Sequence, residues 1–333
     1  MFKENYKETN KHRDGFYGSM IGGAVCDALG APIEFTKPYQ GEEDIKDMIT
    51  GGKKKLSLGE YTDDTAMALC ILDSLIKNKG SFDRKDQMDR YIMWFNTGYM
   101  GTRDCAFGMG RTVKESCKKY LKNGKFVVGS DNPKKAGNGS IMRLAPVPMM
   151  YSTLLLSDVC ELSMLSSTTT HQAATCLDAC RYMGSLIYGG LHGAEKDDLF
   201  GIKKGPFTTL MDDYLKRNPF TTIEIKEIHN GSYTKKNPPE ITGYGWVVTT
   251  LEAALWAFYK TNSFEEGALK AVNLRLDADT VGAVYGQIAG AYYGLSAIPE
   301  KWISNLMKKD MILGMLDEAY DISINLKGKS FIN

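Results

Sequence analysis

Two acid-rich tetrads, Thr62-Asp63-Asp64-Thr65 and Asp277-Ala278-Asp279-Thr280, each stand where an apolar helical pattern begins. Alone, either reads as a helix start, because a threonine or aspartate oxygen satisfies free backbone donors and negative charge suits the positive helix end. As a pair they offer four carboxylates and adjacent hydroxyls, an oxygen-only set suited to a hard cation such as Mg²⁺. Should the two helix starts meet, repulsion among the acids favours one or two bound divalent ions. About two hundred residues separate them, so their meeting is an expectation about the fold rather than a product of spacing.

Three further features bear on chemistry. The turn Gly137-Asn138-Gly139-Ser140 can present backbone N–H groups and a hydroxyl to an anion, although it reads equally as a plain loop. Glu34 follows the helix-ending Gly30-Ala31-Pro32 and is either a site carboxylate or a solvated charge. His171 closes the run Thr168-Thr169-Thr170-His171, at the edge of a helix, and is either a base or ligand or a backbone-bonded histidine. The sequence carries no GxSxG elbow, no phosphate-binding GxxxxGK[ST] and no dinucleotide fingerprint.

The elements that must position these groups are helical. Phe16, Met20, Ile21, Ala24, Val25, Ala28 and Leu29 form a helical stripe between Gly15 and Leu29, with Gly18 and Gly22 allowing close packing. The polar stretch from Thr36 to Gly59 reads as a surface loop. A helix restarts at Thr62 or Asp63 and runs through Ile76. Others are expected at 86–96, 110–122, 154–166 and 172–191, then at 247–258 and 264–272. A last one follows Asp277-Ala278-Asp279-Thr280, with Gly282, Gly286, Gly290 and Gly294 making a glycine face for a neighbour. Between 203 and 243 the periodicity weakens and Asn218-Pro219, Asn230-Gly231 and Pro238-Pro239 mark turns, so this segment reads as a surface excursion near a pocket. Alternating strand patterns are scarce, which makes the fold all-α.

Composition narrows the class. Among 333 residues, 41 basic and 40 acidic side chains give a net charge of +1, which supplies no general attraction for nucleic acid or an anionic membrane. The lysines at 53–55, 114–125 and 235–236 read as scattered solvated faces. With 34 glycines and 10 prolines the chain suits close-packed helices better than loops. Seven irregularly spaced cysteines without a CxxC pair read as reduced thiols, pointing to a cytoplasmic setting. No run of 18 apolar residues occurs and the first residues are too polar for a signal peptide. Residues 1–13 read as a polar tail and 14–325 as one domain, expected to be a monomer.

Taken in order, these pieces resemble the ADP-ribosylglycohydrolase family. The resemblance runs from about Gly15 to Trp302 through the segment 18–32 followed by Glu34-Phe35, then Tyr61-Thr62-Asp63-Asp64-Thr65-Ala66-Met67, Gly137-Asn138-Gly139-Ser140-Ile141-Met142-Arg143, Thr170-His171 and Asp277-Ala278-Asp279-Thr280-Val281-Gly282-Ala283. It implies a single many-helix orthogonal bundle with two divalent ions, Mg²⁺ or in some members Mn²⁺, at the base of an ADP-ribose cleft. On that resemblance Thr62, Asp63, Asp64, Asp277, Asp279 and Thr280 are ion ligands. Glu34, Asp63 and Asp64 are the candidate proton-handling carboxylates. Gly137, Asn138, Gly139 and Ser140 hold the diphosphate and adenosine side, Met142 and His171 line the cleft, and Asp27 fixes the scaffold.

The implied reaction hydrolyses the bond between ADP-ribose and an acceptor such as an arginine or serine side chain, through an oxocarbenium-like state. Two departures stand out. Arg275-Leu276 replaces the Gly-Gly common before the second acidic motif, setting Arg275 either to meet substrate phosphate or acceptor or else to crowd the site, and Cys26 replaces a glycine before Asp27. The alternatives are a non-catalytic ADP-ribose-binding relative and a metal-dependent phosphoester hydrolase acting on nucleotides.

Overall fold

Helix α1 (Asn10–Gly30) and helix α13 (Ala278–Tyr293) lie against each other backbone to backbone, and the rest of the chain is arranged around that pair. Their glycines make this possible. A Cβ placed on Gly286 would stand 2.1 Å from the Gly22 carbonyl oxygen, and one on Gly290 would stand 2.0 Å from that of Gly18. The reverse holds for Gly18 and Gly22, which face the carbonyls of Gly290 and Gly286. Gly30 abuts Ala278 and Gly15 abuts Ala291, so the helices run antiparallel. The end of α1 and the start of α13 therefore share one end of the pair. Gly294 ends the row differently from expectation: it lies past the helix at φ +86°, where a Cβ would strike the Asp14 carboxylate.

The computed structural model describes residues 10–38 and 43–326. Most of the polar tail expected at 1–13 lies outside these residues, but α1 is already helical from Asn10, and His12 is buried. Between the two central helices come α2 (Asp63–Lys77), α3 (Arg84–Thr97), α4 (Arg111–Asn123), α5 (Pro146–Met150), α6 (Leu156–Ser167), α7 (Ala174–Leu191), α8 (Lys196–Leu199), α9 (Pro206–Arg217), α10 (Ile223–His229), α11 (Val247–Tyr259) and α12 (Phe264–Val272). After α13 follow α14 (Glu300–Asn305) and α15 (Lys309–Ile324). Among the described residues the only β pairing is three isolated bridges, so the fold is all-α, as expected. None of the described helices is long and apolar enough to cross a membrane. All seven cysteines are free and all but Cys105 are buried.

The segment 203–243 corrects the reading of a surface excursion. It folds into α9 and α10, which bury Phe207, Met211, Tyr214, Ile225 and Ile228, and Phe220 packs edge-on against Tyr182 of α7. The turns between these helices interrupt the pattern, and α10, at seven residues, is too short for periodicity to register. The anchor is Asp178 of α7, which accepts hydrogen bonds from Thr221 N (2.7 Å) and Thr222 N (2.9 Å) and pairs with Arg181 at 2.9 Å.

The start of α2 is held from outside. Neither Thr62 nor the acids after it cap the helix with their own side chains. The carboxylate of Asp27 does so instead from α1: its Oδ2 accepts from Thr62 N (3.0 Å), Thr65 N (3.1 Å) and Thr65 Oγ1 (2.7 Å), and its Oδ1 accepts from Thr62 Oγ1 (2.9 Å). A fully buried carboxylate thus satisfies donors that would otherwise be orphaned, and it leaves Asp63 and Asp64 free of any capping duty.

Two stability effects follow. Gly286→Ala, which forces a methyl group into the Gly22 carbonyl, destabilises the protein by about 3 kcal/mol or more. Asp27→Ala strands the buried donors of Thr62 and Thr65 and costs about 3 kcal/mol. Urea denaturation followed by circular dichroism measures both; a loss under about 1 kcal/mol in either variant contradicts the corresponding contact.

Candidate functional site

Because α1, α2 and α13 bring their ends together, the two acidic tetrads meet, and the expectation drawn from their types is met in space. Asp63, Asp64, Asp279 and Thr280 are buried at the floor of a cleft that also includes Asp277 and Glu34. Glu34 arrives from the short 3₁₀ turn Ala31–Ile33 that ends α1. The cleft encloses about 360 Å³. Two groups of carboxylates have ligand atoms within 4.8 Å of one another: Asp27, Asp64 and Asp279, and Glu34, Asp277 and Asp279. Asp279 belongs to both.

The charges in this cluster repel. Burial raises the Asp63 carboxyl to about 8, and of its charged neighbours Lys54 opposes the shift while Asp279 adds to it. Burial and then Asp279 raise Asp277 to about 7, against a hydrogen bond from Asn138. Asp27 is raised to about 6 by burial and then Asp279, its hydrogen bonds from Thr65 and Thr62 pulling the other way. Asp64 is pushed well above the usual carboxylate range by burial and then by Asp27 and the neighbouring acids.

These residues fit a hard cation. The donors are all oxygens, and the buried Asp64 Oδ1 has no hydrogen-bond partner among the described residues, a costly state for a carboxylate oxygen unless something positive meets it. Thr62, 1% exposed, donates to Asp27 at 2.9 Å and lies 3.1 Å from Asp64 Oδ2, so its hydroxyl oxygen stands among the acids. Asp27 stands close to Asp64 and Asp279, but four hydrogen bonds to the start of α2 already engage its oxygens.

The walls come from loops tied to the same framework. Gly137, Asn138 and Gly139 line one side. Asn138 donates from Nδ2 to Asp277 Oδ2 at 2.6 Å and its backbone N–H bonds to the Gly245 carbonyl at 3.2 Å. The following residues are held by Gln287 of α13, which accepts from Ala145 N at 2.7 Å and donates to the Met142 carbonyl at 2.6 Å. The wholly buried Arg143 joins this wall to the next: it donates to the Gly139 carbonyl (2.7 Å) and to Thr170 Oγ1 (2.7 Å). Thr170 Oγ1 in turn lies 2.8 Å from His171 Nδ1, which fixes the ring with Nε2 on the side of Gly137. Burial, and then the Arg143 charge, lower the His171 value to about 3, so the ring is neutral at pH 7.

Two expected substrate contacts are corrected. Ser140 is buried outside the cleft, beside the Cys180 thiol, because the turn directs Gly137, Asn138 and Gly139 outward and Ser140 into the core. Arg275 is also buried away from the cleft: its guanidinium donates to Thr36 Oγ1 (3.1 Å) and to the Glu43 carbonyl (2.8 Å), tying down the loop after Glu34. Arg275 and Leu276 both adopt left-handed backbone, φ +60° and +61°, the conformation that a glycine pair takes without strain.

Sequence reading also missed residues. Lys54, taken as part of a solvated face, buries its ammonium against Glu34 and 3.4 Å from Asp279 Oδ2. The opposite rim is the run Gly108-Met109-Gly110-Arg111-Thr112-Val113, leading into α4. Gly108 has φ +83°, and a Cβ there would stand 2.2 Å from Asp63 Oδ1. Two glycines flanking Met109 just before a helical pattern were the available signal. Phe35, 52% exposed, completes the mouth.

The family described as ADP-ribosylglycohydrolase matches residues 8–327. The chain is 34% identical over 304 residues to the ADP-ribosylarginine hydrolase Tri1 of Pseudomonas putida, covering 91% of this chain and 77% of that protein. It is 26% identical over 302 residues to the ADP-ribosyl-[dinitrogen reductase] glycohydrolase of Rhodospirillum rubrum, covering 89% of this chain and 91% of the relative. A solved structure titled ADP-ribosylglycohydrolase-related protein complex superposes with a TM-score of 0.81 at 36% identity, covering 95% of this chain and all of that one. With its acidic motifs gathered at one cleft and its whole described length matched in sequence and fold, the chain belongs to the ADP-ribosylglycohydrolase family, hydrolases of the glycosidic bond of ADP-ribose.

Proposed function

We propose that this protein is a metal-dependent hydrolase that releases ADP-ribose from arginine side chains of modified proteins. The observation that carries the reading is the buried carboxylate cluster at the cleft floor with an unpartnered oxygen on Asp64. An acidic cleft attracts a cationic guanidinium-linked substrate, and the likeness to an ADP-ribosylarginine hydrolase supports that acceptor. Thr62, Asp63, Asp64, Asp277, Asp279 and Thr280 are assigned to two divalent ions, Mg²⁺ by the hardness of the donors. When bound, the ions supply positive charge that orients ribose hydroxyls and water.

The residues of the chain then have separate duties. The neutral ring of His171 faces the diphosphate without adding a charge that the acids would trap, and Gly137 and Gly139 leave room for the anion beside it, the N–H groups of Gly137 and Asn138 being held by the Lys135 and Gly245 carbonyls. Asn138 holds Asp277 in orientation. A carboxylate at the floor, Asp63 or Glu34, takes a proton from the attacking water as the bond from ribose C1 to the guanidino nitrogen breaks and that nitrogen is protonated.

With Mg²⁺ and an ADP-ribosyl-arginine protein, chromatography is expected to detect free ADP-ribose, and Asp279→Ala lowers the rate at least about 100-fold. Release of AMP would move the assignment to a phosphoester hydrolase; tight ADP-ribose binding without turnover would make the protein a binder.

Ion binding carries its own pH signature. Carboxyls raised by burial and mutual repulsion hold protons near neutrality, and a protonated carboxyl does not ligate, so the ion must displace protons. The groups facing the ions are Asp27, Glu34, Asp63, Asp64, Asp277, Asp279 and the ammonium of Lys54. Mg²⁺ affinity measured by calorimetry therefore rises with pH from about 6 to 8, with net proton release on binding. A pH-independent affinity over that range would contradict the electrostatics of the cluster.

A further inference from the structure

The two carboxylate groups at the cleft floor are unequal. The group of Asp27, Asp64 and Asp279 includes Asp64, whose Oδ1 has no hydrogen-bond partner among the described residues. In the group of Glu34, Asp277 and Asp279, two of the three members are already engaged by a positive charge, the Lys54 ammonium. Lys54 is not a stray surface lysine. It sits in a tight loop closed by reciprocal 2.8 Å hydrogen bonds between Gly51 and Leu56. Gly52, at φ +69°, packs so closely on Pro32 that a Cβ would stand 2.2 Å from its carbonyl oxygen. Arg103 donates to the Lys54 carbonyl at 3.0 Å and pairs with Glu60. The loop therefore fixes the backbone from which the side chain reaches inward, and 85% of that side chain is withdrawn from solvent, being 15% exposed. Burial works against its charge, but Asp279 and then Glu34 outweigh this and hold the ammonium firmly protonated.

We infer that Lys54 is a built-in competitor for one of the two ion positions: the Asp64 side takes a divalent ion directly, whereas the Glu34 side takes one only as Lys54 gives up Glu34 and Asp279. This rests on reading the acids as ion ligands. An ammonium and a divalent ion a few ångströms apart in a partly buried pocket repel strongly, so both cannot keep the same two carboxylates. The withdrawn side chain has the Phe35 ring to rest on, whose centroid already lies 5.5 Å from Lys54 Nζ and 5.2 Å from Lys53 Nζ. The consequence is a stepwise filling of the site, one ion tight and one weak, with the weak one sensitive to residue 54.

Titration of the full chain with Mn²⁺, followed by electron paramagnetic resonance of the free ion, tests this with no substrate present. The wild type is expected to show one tight and one weaker ion. In Lys54→Gln the weaker one tightens about tenfold or more, and by clearly more than the tight one, whose group shares only Asp279 with Lys54, while Lys54→Arg stays like the wild type. In the wild type, acetylation of Lys54 by an N-hydroxysuccinimide ester, read by mass spectrometry, accelerates as the second ion binds. A weaker ion whose affinity is unchanged or lowered in Lys54→Gln overturns the inference, as does a Lys54 acetylation rate indifferent to Mn²⁺; both leave the ligand assignment standing. Failure of either protein to bind any ion overturns the ligand assignment and the inference with it.

Discussion

The close approach of α1 and α13 is the constraint from which the site follows. Gly18, Gly22, Gly286 and Gly290 let two backbones touch, and a single added methyl at Gly286 or Gly290 would meet a carbonyl oxygen near 2 Å. Because the pair is antiparallel, the C-terminal end of one helix and the N-terminal end of the other emerge together. Asp27 and Glu34 come from the first, Asp277, Asp279 and Thr280 from the second. The remaining acids are brought in by Asp27, which grips the start of α2. Packing of groups without side chains thus determines where the charges stand.

That arrangement is electrostatically expensive, and the protein meets the expense locally. Six carboxylates crowd the floor, and burial with mutual repulsion raises those of Asp27, Glu34, Asp63, Asp64 and Asp277. Hydrogen bonds relieve Asp27 and Asp277, an ammonium relieves Glu34, and Asp64 is left with an unmet oxygen. Rigidity is supplied by neutral and cationic groups set back from the cleft. Arg143 fastens the Gly139 turn to Thr170 and through it to His171, so the two walls move as one unit.

Much of this was legible in the sequence, and the limits have physical causes. The row Gly282, Gly286 and Gly290 announced a close helix contact, and the two acidic tetrads announced a source of carboxylate oxygens, because residue type and helical spacing are local properties. What could not be read was any role assigned by a distant partner. Asp27 caps a helix about 35 residues away, which no capping pattern at Thr62 encodes. Lys54 looks like its neighbours Lys53 and Lys55 until the loop turns it inward. The helices α9 and α10 hid behind the turns that flank them, although Phe207, Met211 and Tyr214 repeat along one face of α9. Ser140 was carried along with its turn, although one residue's change of direction takes it from the cleft to the core.

The pair Arg275-Leu276 has a consequence for motion. Each left-handed residue costs about 1 kcal/mol relative to glycine, and the Arg275 guanidinium offsets part of this by binding Thr36 and the carbonyl of Glu43. Where a glycine pair would act as a swivel beneath the loop that follows Glu34, this chain has a rivet. The rim on that side is stitched to the approach of α13 and cannot swing independently of it. Any widening of the mouth then falls to the facing rim, where Gly108 and Gly110 bracket Met109 and the backbone of Gly108 stands beside Asp63.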